Sequence, residues 1–206
     1  MIVVVDYGVN NLKSVVRALA ASGHPATLTA DPAAVRAADH VLMPGVGHFA
    51  QAAANLHDSG LGDAVRDAAR GGRPVMGICL GLQLFFATSE EAPGVEGLGL
   101  LPGFVARFRT GLPVPHVGWA SVHPTAAGRR HPVLAPLVHE GDPFFYHVHS
   151  YHPSGVPADV ELATGNYGGD FTTIAGRENV LGVQFHPEKS QRLGIELLAR
   201  FAEWRP

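Results

Sequence analysis

The sequence predicts an α/β fold: a doubly wound, mostly parallel sheet flanked by helices, with a mixed or antiparallel extension. Three observations carry that expectation. Short apolar runs alternate with helically spaced stretches through the first half of the chain. The first run, Ile2-Val3-Val4-Val5, is continuously apolar, as strands buried on both faces of a parallel sheet are. The second half is richer in strand-like runs and turns.

Ile2 to Val5 is the first strand. Asn11 to Ala21 has helical spacing through Leu12, Val15, Val16 and Leu19, and Gly23 is placed to cap its end. Ala26 to Thr29 is a second strand. Asp31-Pro32 opens a short helix, with proline in its first turn. Val41 to Met43 is a third strand, ending at Pro44-Gly45. Val75 to Ile78 is a fourth, ending at Cys79, and the run from Leu80 reads as the start of a helix. Phe144 to His149, Val160 to Ala163, Phe171 to Ala175 and Val180 to Phe185 read as the extension. Gly194 to Trp204 closes as an amphipathic helix. With no repeat, low-complexity tract or linker, one domain over 1–206 is expected.

Composition bounds the function. A 46% hydrophobic content over 206 residues supplies a real core. A net charge of −3 with scattered arginines gives no reason to expect nucleic acid or a membrane surface as partner. No apolar run approaches the roughly 18 residues that would span a bilayer. One cysteine allows no intrachain disulfide and fits a reducing compartment. The N-terminus shows no basic region or cleavage signature, so a cytoplasmic location is expected.

That cysteine lies in Gly77-Ile78-Cys79-Leu80-Gly81, at a strand-to-helix corner. The pattern matches a nucleophile elbow with sulfur in place of oxygen. The Leu80 N–H then points to where an oxyanion would form. Gly182-Val183-Gln184-Phe185-His186-Pro187-Glu188 offers a base and its orienting group. His186 and Glu188 are two apart, so in an extended segment they project to one side. Each motif alone has a plainer reading, a cysteine packed in a core and a solvated histidine after a strand. Gln83, four after Cys79, shares its helix face. Twelve histidines raise a metal question, with His147, His149 and His152 nearest one another. The tighter companion ligands of a zinc site are missing, so no metal and no cofactor are expected.

The motifs around Cys79 and His186 resemble those of the class I, triad-type glutamine amidotransferases. Asp6-Tyr7-Gly8 with Asn11-Leu12, Pro44-Gly45-Val46-Gly47, Pro115-His116-Val117-Gly118-Trp119 and Val148-His149-Ser150-Tyr151 narrow the resemblance. They are similar to segments of the glutaminase subunits of imidazole glycerol phosphate synthase, and the likeness runs from Ile2 to Phe201. It implies the fold of that family and a thioester route. Cys79 would attack the glutamine amide, His186 would shuttle the proton, and Glu188 would orient the imidazole. It implies that Gly45, Val46 and Gly47 line the oxyanion region opposite Leu80. Gln83, Glu91, His149, Ser150 and Tyr151 would bind the substrate. The nitrogen acceptor would sit on a cyclase subunit with a (β/α)8 barrel, forming a heterodimer through Trp119, Tyr146 and Lys189. For Trp119, interior packing is the competing reading. The chain departs from the family at Asn10, where glycine is usual and a left-handed turn is expected. It departs at Ala120, where asparagine is usual, and at His147, where an apolar aromatic is common. A glutaminase for another acceptor, such as the pyridoxal phosphate synthase type, and a free-standing cysteine hydrolase are the alternatives. The first usually carries Gly-Gly-Glu-Ser where Pro44 to Gly47 stand.

Overall fold

The computed structural model describes residues 1–137 and 141–206. Its strands are β1 (Ile2–Val5), β2 (Ala26–Thr29), β3 (His40–Gly45), β4 (Val75–Cys79), β5 (Phe104–Arg107), β6 (His116–Ser121), β7 (His123–Pro124), β8 (Phe144–His149), β9 (Tyr151–Ser154), β10 (Glu161–Asn166), β11 (Asp170–Arg177) and β12 (Val180–Val183). Its helices are α1 (Leu12–Ala21), α2 (Pro32–Ala37), α3 (Phe49–Asp58), α4 (Leu61–Arg70), α5 (Leu80–Gln83) and α6 (Gln191–Glu203). The main sheet runs in the order β2-β1-β3-β4-β12-β11-β10-β7. The first five strands are parallel, and β11, β10 and β7 continue antiparallel. β12 is therefore the seam: it closes the parallel half and opens the antiparallel one. Two small antiparallel pairs, β5 with β9 and β6 with β8, stand outside this sheet.

The strand period of two divides the core. Val3 and Val5 face one side with Val41, Met43 and the buried faces of α2, α3 and α4. Ile2 and Val4 face the other with Leu42, Met76, Leu12, Val15, Leu19, Leu197 and Phe201, from α1 and α6 among others. Helices on both faces of a largely parallel sheet are the expected doubly wound arrangement.

Several boundaries differ from the sequence reading. The helix after Cys79 lasts one turn, because the carbonyls of Leu84 and Phe85 accept hydrogen bonds from Leu98, Leu100 and Leu101 instead of continuing the ladder. β12 stops at Val183, so Gln184 and Phe185 leave the strand toward the site. α6 begins at Gln191, three residues before Gly194. The left-handed residue before α1 is Asn11, at φ 75°, and not Asn10. α1 itself ends at Ala21, with Ser22 as its cap and Gly23 following at φ +87°, as the capping glycine requires. Among the described residues no helix is long and apolar enough to cross a membrane.

Candidate active site

β3, β4 and β12 are neighbours, and their carboxyl ends converge. Gly45 pairs with Cys79, and Ile78 pairs with Val183, one residue before Gln184. This is the end of an open α/β sheet where ligands bind.

The elbow is built by close approach. Cys79 has φ 54° and ψ −108°, a strained backbone that turns the strand into α5. A Cβ on Gly81 would collide with the Met43 carbonyl oxygen, and one on Gly77 would lie 2.7 Å from the Gly81 carbonyl carbon. A Cβ on Gly45 would strike the Tyr7 hydroxyl, which donates to the Pro44 carbonyl at 2.7 Å. Burial first, and the charge of Cys79 second, raise the Tyr7 hydroxyl far above the usual phenol range. It therefore stays a neutral donor beneath the elbow.

The segment after β12 turns back over this corner. The N–H of His186 bonds the Tyr146 carbonyl at 2.9 Å, and the Ser190 hydroxyl donates to the His186 carbonyl at 2.6 Å. Ser190 Oγ in turn accepts the Tyr146 N–H at 3.0 Å, so β8 and the histidine turn are tied together. His186 Nδ1 contacts Glu188 Oε1 at 2.7 Å, with both side chains buried. Among the described residues its Nε2 makes no hydrogen bond of ordinary geometry, and it faces Cys79. Burial works against a charge on His186, but the sulfur and the Glu188 carboxylate outweigh it and raise the imidazole to about 10. A thiol, an imidazole and a carboxylate bonded to that imidazole have thus been brought together, the groups a nucleophile, its base and an orienting acid require.

A cavity of about 270 Å³ opens beside the sulfur. Its wall includes Val46, Gly47, Cys79, Leu80, Gln83 and Glu91. His149, Ser150 and Tyr151 complete it with Pro115 and Val148. Gln83 is 5% exposed and gives its Nε2 to the Tyr151 carbonyl at 3.1 Å and to Gln184 Oε1 at 3.3 Å. Glu91 Oε2 accepts the Phe49 N–H, at the start of α3, at 2.8 Å. Gly47 has φ +132°, a backbone open to glycine.

Trp119, Tyr146 and Lys189 lie together on the outer side. Trp119 and Tyr146 pair across β6 and β8 with ring centroids 6.2 Å apart, and Lys189 Nζ stands 5.8 Å from the Tyr146 ring. Trp119 is 47% exposed, with Val117 and Phe144 exposed on the same two-stranded face. Interior packing is thereby ruled out for Trp119. The opposite face of the pair is buried and carries His116, His147 and His149. Ring nitrogens of these three come within 4.8 Å of one another. The His116 and His147 rings, however, stack at 5.0 Å with only 15° between their planes. Two stacked, nearly parallel imidazoles cannot both aim an in-plane lone pair at one ion, so the trio does not fit a metal.

Two residues without a role in the sequence reading join the site. Asn11 Nδ2 donates to Glu188 Oε1 at 2.6 Å, across 177 residues of chain. Gln184 Nε2 reaches Cys79 Sγ at 3.7 Å. Gln184 had a signal: it stands two before His186, on the same side of an extended segment. Asn11 had none beyond its place before a helix.

The sequence matches the family described as Glutamine amidotransferase class-I over residues 3–203. The chain belongs to the class I glutamine amidotransferases. Among its relatives in that family, a protein of Symbiobacterium thermophilum named imidazole glycerol phosphate synthase subunit HisH is 49% identical, covering 97% of this chain and 92% of its own. The HisH subunit of Moorella thermoacetica is 48% identical over 98% of this chain and 94% of its own. Solved amidotransferases share the fold at low identity. One described as a glutamine amidotransferase aligns over 98% of this chain with a TM-score of 0.76 at 18% identity. The glutaminase domain of Trypanosoma brucei CTPS, with bound acivicin, aligns with a TM-score of 0.69 at 16% identity.

Proposed function

We propose that this chain is the glutaminase subunit of imidazole glycerol phosphate synthase, which hydrolyses glutamine and feeds ammonia to a cyclase subunit in histidine biosynthesis. One observation carries the chemistry: Cys79, met by the buried His186–Glu188 pair from a distant segment, opens onto a cavity whose wall also holds Gln83 and Glu91. Near-full-length likeness to HisH subunits carries the pathway.

The Cys79 thiolate attacks the amide carbon of glutamine, while His186 holds the proton taken from the thiol. The carbonyl oxygen gathers negative charge and is met by the Leu80 N–H and by the backbone of Gly45, Val46 and Gly47. His186 gives its proton to the leaving nitrogen, ammonia departs, and a thioester remains. A water deprotonated by His186 cleaves it to glutamate. Each oxyanion donor typically lowers the barrier by about 3 kcal/mol. Glu91 suits the substrate α-ammonium, and the backbone of His149, Ser150 and Tyr151 suits its carboxylate.

The acceptor site belongs to a partner, read as a (β/α)8 barrel that receives ammonia through its interior. The exposed apolar face of β6 and β8, with Trp119, Tyr146 and Lys189, is the surface offered to it. Glutamine hydrolysis without a waiting acceptor wastes substrate. The peptide N–H of Val46, between Gly45 and Gly47, is accordingly read as a gate that completes the oxyanion hole only when the partner and its ligand are bound. A missing donor by itself would slow turnover by about two orders of magnitude.

Ammonia release from glutamine, with and without the barrel subunit and its ligand, tests both parts. The expected result is a low rate alone and a stimulation of at least about a hundredfold in the complex. An equal rate in the two conditions would discard the gate in favour of a free-standing hydrolase. No release in either would discard the glutaminase.

A further inference from the structure

Gln184 is fully buried between the end of β12 and His186, and every hydrogen-bonding end of its amide is engaged. Its backbone N–H bonds the Thr173 carbonyl at 2.8 Å, which fixes where the side chain starts. The side chain then bridges Cys79 Sγ at 3.7 Å and Gln83 Nε2 at 3.3 Å. Gln83 is itself anchored to the Tyr151 carbonyl at 3.1 Å. That carbonyl also receives His149 Nδ1 at 2.8 Å.

A carboxamide has one donor end and one acceptor end, so a chain of them has a direction. Here the direction is set by the Tyr151 carbonyl, which can only accept. It requires the NH2 end of Gln83. The same NH2 also faces Gln184, so Gln184 must present its oxygen there. Only the NH2 of Gln184 is then left for the sulfur. Reversing Gln184 would set two buried NH2 groups against each other and leave an acceptor unsatisfied, an expensive arrangement.

We infer that Gln184 is a dedicated hydrogen-bond donor to the Cys79 thiolate, held in that polarity by Gln83 and the Tyr151 carbonyl. The nucleophile thus has two buried partners. His186 accepts its proton, and Gln184 stabilises the charge left behind with a neutral group that brings no competing proton. The other titratable groups around the sulfur are Glu188 behind His186, Tyr7 beneath the elbow, and Glu91 and His149 on the cavity wall. None of these is placed as a second donor to Sγ among the described residues. A corollary concerns substrate. Both N–H groups of Gln83 are spent inside the protein, so Gln83 meets glutamine only through its carbonyl oxygen, as an acceptor. This corollary rests on the glutaminase reading; the donor role toward the sulfur does not.

The test is the pH dependence of Cys79 alkylation by iodoacetamide in the full chain. Gln184→Met keeps the volume and removes the donor. Gln184→Glu keeps an acceptor for Gln83 and sets a carboxylate beside the sulfur. The expected result is a midpoint shifted upward by about one pH unit in the first and by more in the second, equivalent to about tenfold less thiolate below the midpoint. Glutamine turnover in the complex should fall about tenfold in kcat for Gln184→Met, with KM within about twofold, since the residue touches the sulfur rather than the substrate. Gln83→Met supplies a second route that leaves residue 184 unchanged: it releases the polarity constraint and should shift the midpoint in the same direction. Alkylation midpoints matching the wild type in the folded 184 variants overturn the inference; if neither folds, a wild-type midpoint in Gln83→Met does so. Because alkylation needs neither glutamine nor a partner, it still reports on Gln184 if the chain proves not to be a glutaminase.

Discussion

His186 and His147 are the same side chain, buried to the same depth, each paired with the residue two positions on, and they meet opposite fates. His186 bonds Glu188 through Nδ1 at 2.7 Å and is raised to about 10. His147 bonds His149 through Nδ1 at 3.1 Å and is pushed down to about 3. Burial lowers both. In His186 it is outweighed by a thiolate on one side and a carboxylate on the other. In His147 it is reinforced by neighbouring imidazoles. The two lie one strand apart, since the His186 N–H bonds the carbonyl of Tyr146. What faces the buried ring decides the direction: a sulfur and a carboxylate hold the proton on His186, while the His116 and His186 imidazoles drive it from His147.

The largest effect should come from breaking the charged member of the pair. His186→Ala is expected to reduce glutamine turnover by more than about 10⁴-fold in the stimulated complex. Glu188→Ala should leave a larger residual rate, because an orienting group is less completely needed than the base itself. Ammonia release under saturating glutamine measures both. Wild-type-like rates in the two variants would leave the triad without support.

Stability against pH should separate the two histidines next. His186 is raised in the fold, so its contribution is complete below its ordinary 6.5 and is lost as pH rises towards about 10. His147 is depressed, so the folded state is penalised as pH falls from 6.5 towards about 3, where the unfolded chain binds a proton that the fold refuses. His147→Phe, which restores the apolar aromatic common at this position, should therefore gain about 2 kcal/mol at pH 5 and almost nothing at pH 8. Thermal or denaturant unfolding across that range reads the difference. An equal gain at both pH values would mean packing, and not protonation, is responsible.

The same contrast explains what could be seen in the sequence. His186, Glu188 and the Cys79 elbow were legible because each is a short local pattern with a backbone reason: a period of two, and glycines where strands touch. β1 and β2 were legible to the residue because an apolar run of four in the first, and Leu28 between two strand-favouring threonines in the second, stand between turn signals. α3 went unassigned because alanine carries much of its inward stripe, as Ala52 and Ala53 do. α4 was legible and was missed: Leu61, Ala64, Val65, Ala68 and Ala69 recur at helical spacing opposite Asp63, Arg66, Asp67 and Arg70. The run from Leu80 to Phe86 is buried on every side, so its sequence could not show that the helix stops after one turn. Contacts across the chain were the least visible. Trp119 and Tyr146 found each other only when β6 and β8 paired, and the amides of Asn11 and Gln184 act on partners 177 and 105 residues away.

Asn11 gives the smallest and most selective way to test the comparison, since it acts on His186 only through Glu188. Its Nδ2 lies 2.6 Å from the same Glu188 oxygen that bonds the imidazole. The other oxygen, Oε2, is buried without a partner, so Asn11 is the one group besides His186 that holds this carboxylate among the described residues. The side chain makes no capping bond to α1, although it stands at the cap position. Removing the amide therefore costs the helix nothing directly. The backbone there is left-handed, φ 75°, which alanine tolerates poorly and glycine accepts. Asn11→Gly is thus the clean variant. A hydrogen bond to a charged group is worth about 1.5–3 kcal/mol, and part of that is recovered as Glu188 tightens on His186. The expected outcome is about a tenfold fall in kcat, little change in KM, and unfolding within about 1 kcal/mol of wild type. Asn11→Asp keeps the shape but turns a donor into an anion facing Glu188, and should lose more than the glycine variant. If Asn11→Gly instead loses stability and activity together, the residue holds the start of α1, and the orientation of Glu188 is secured without it.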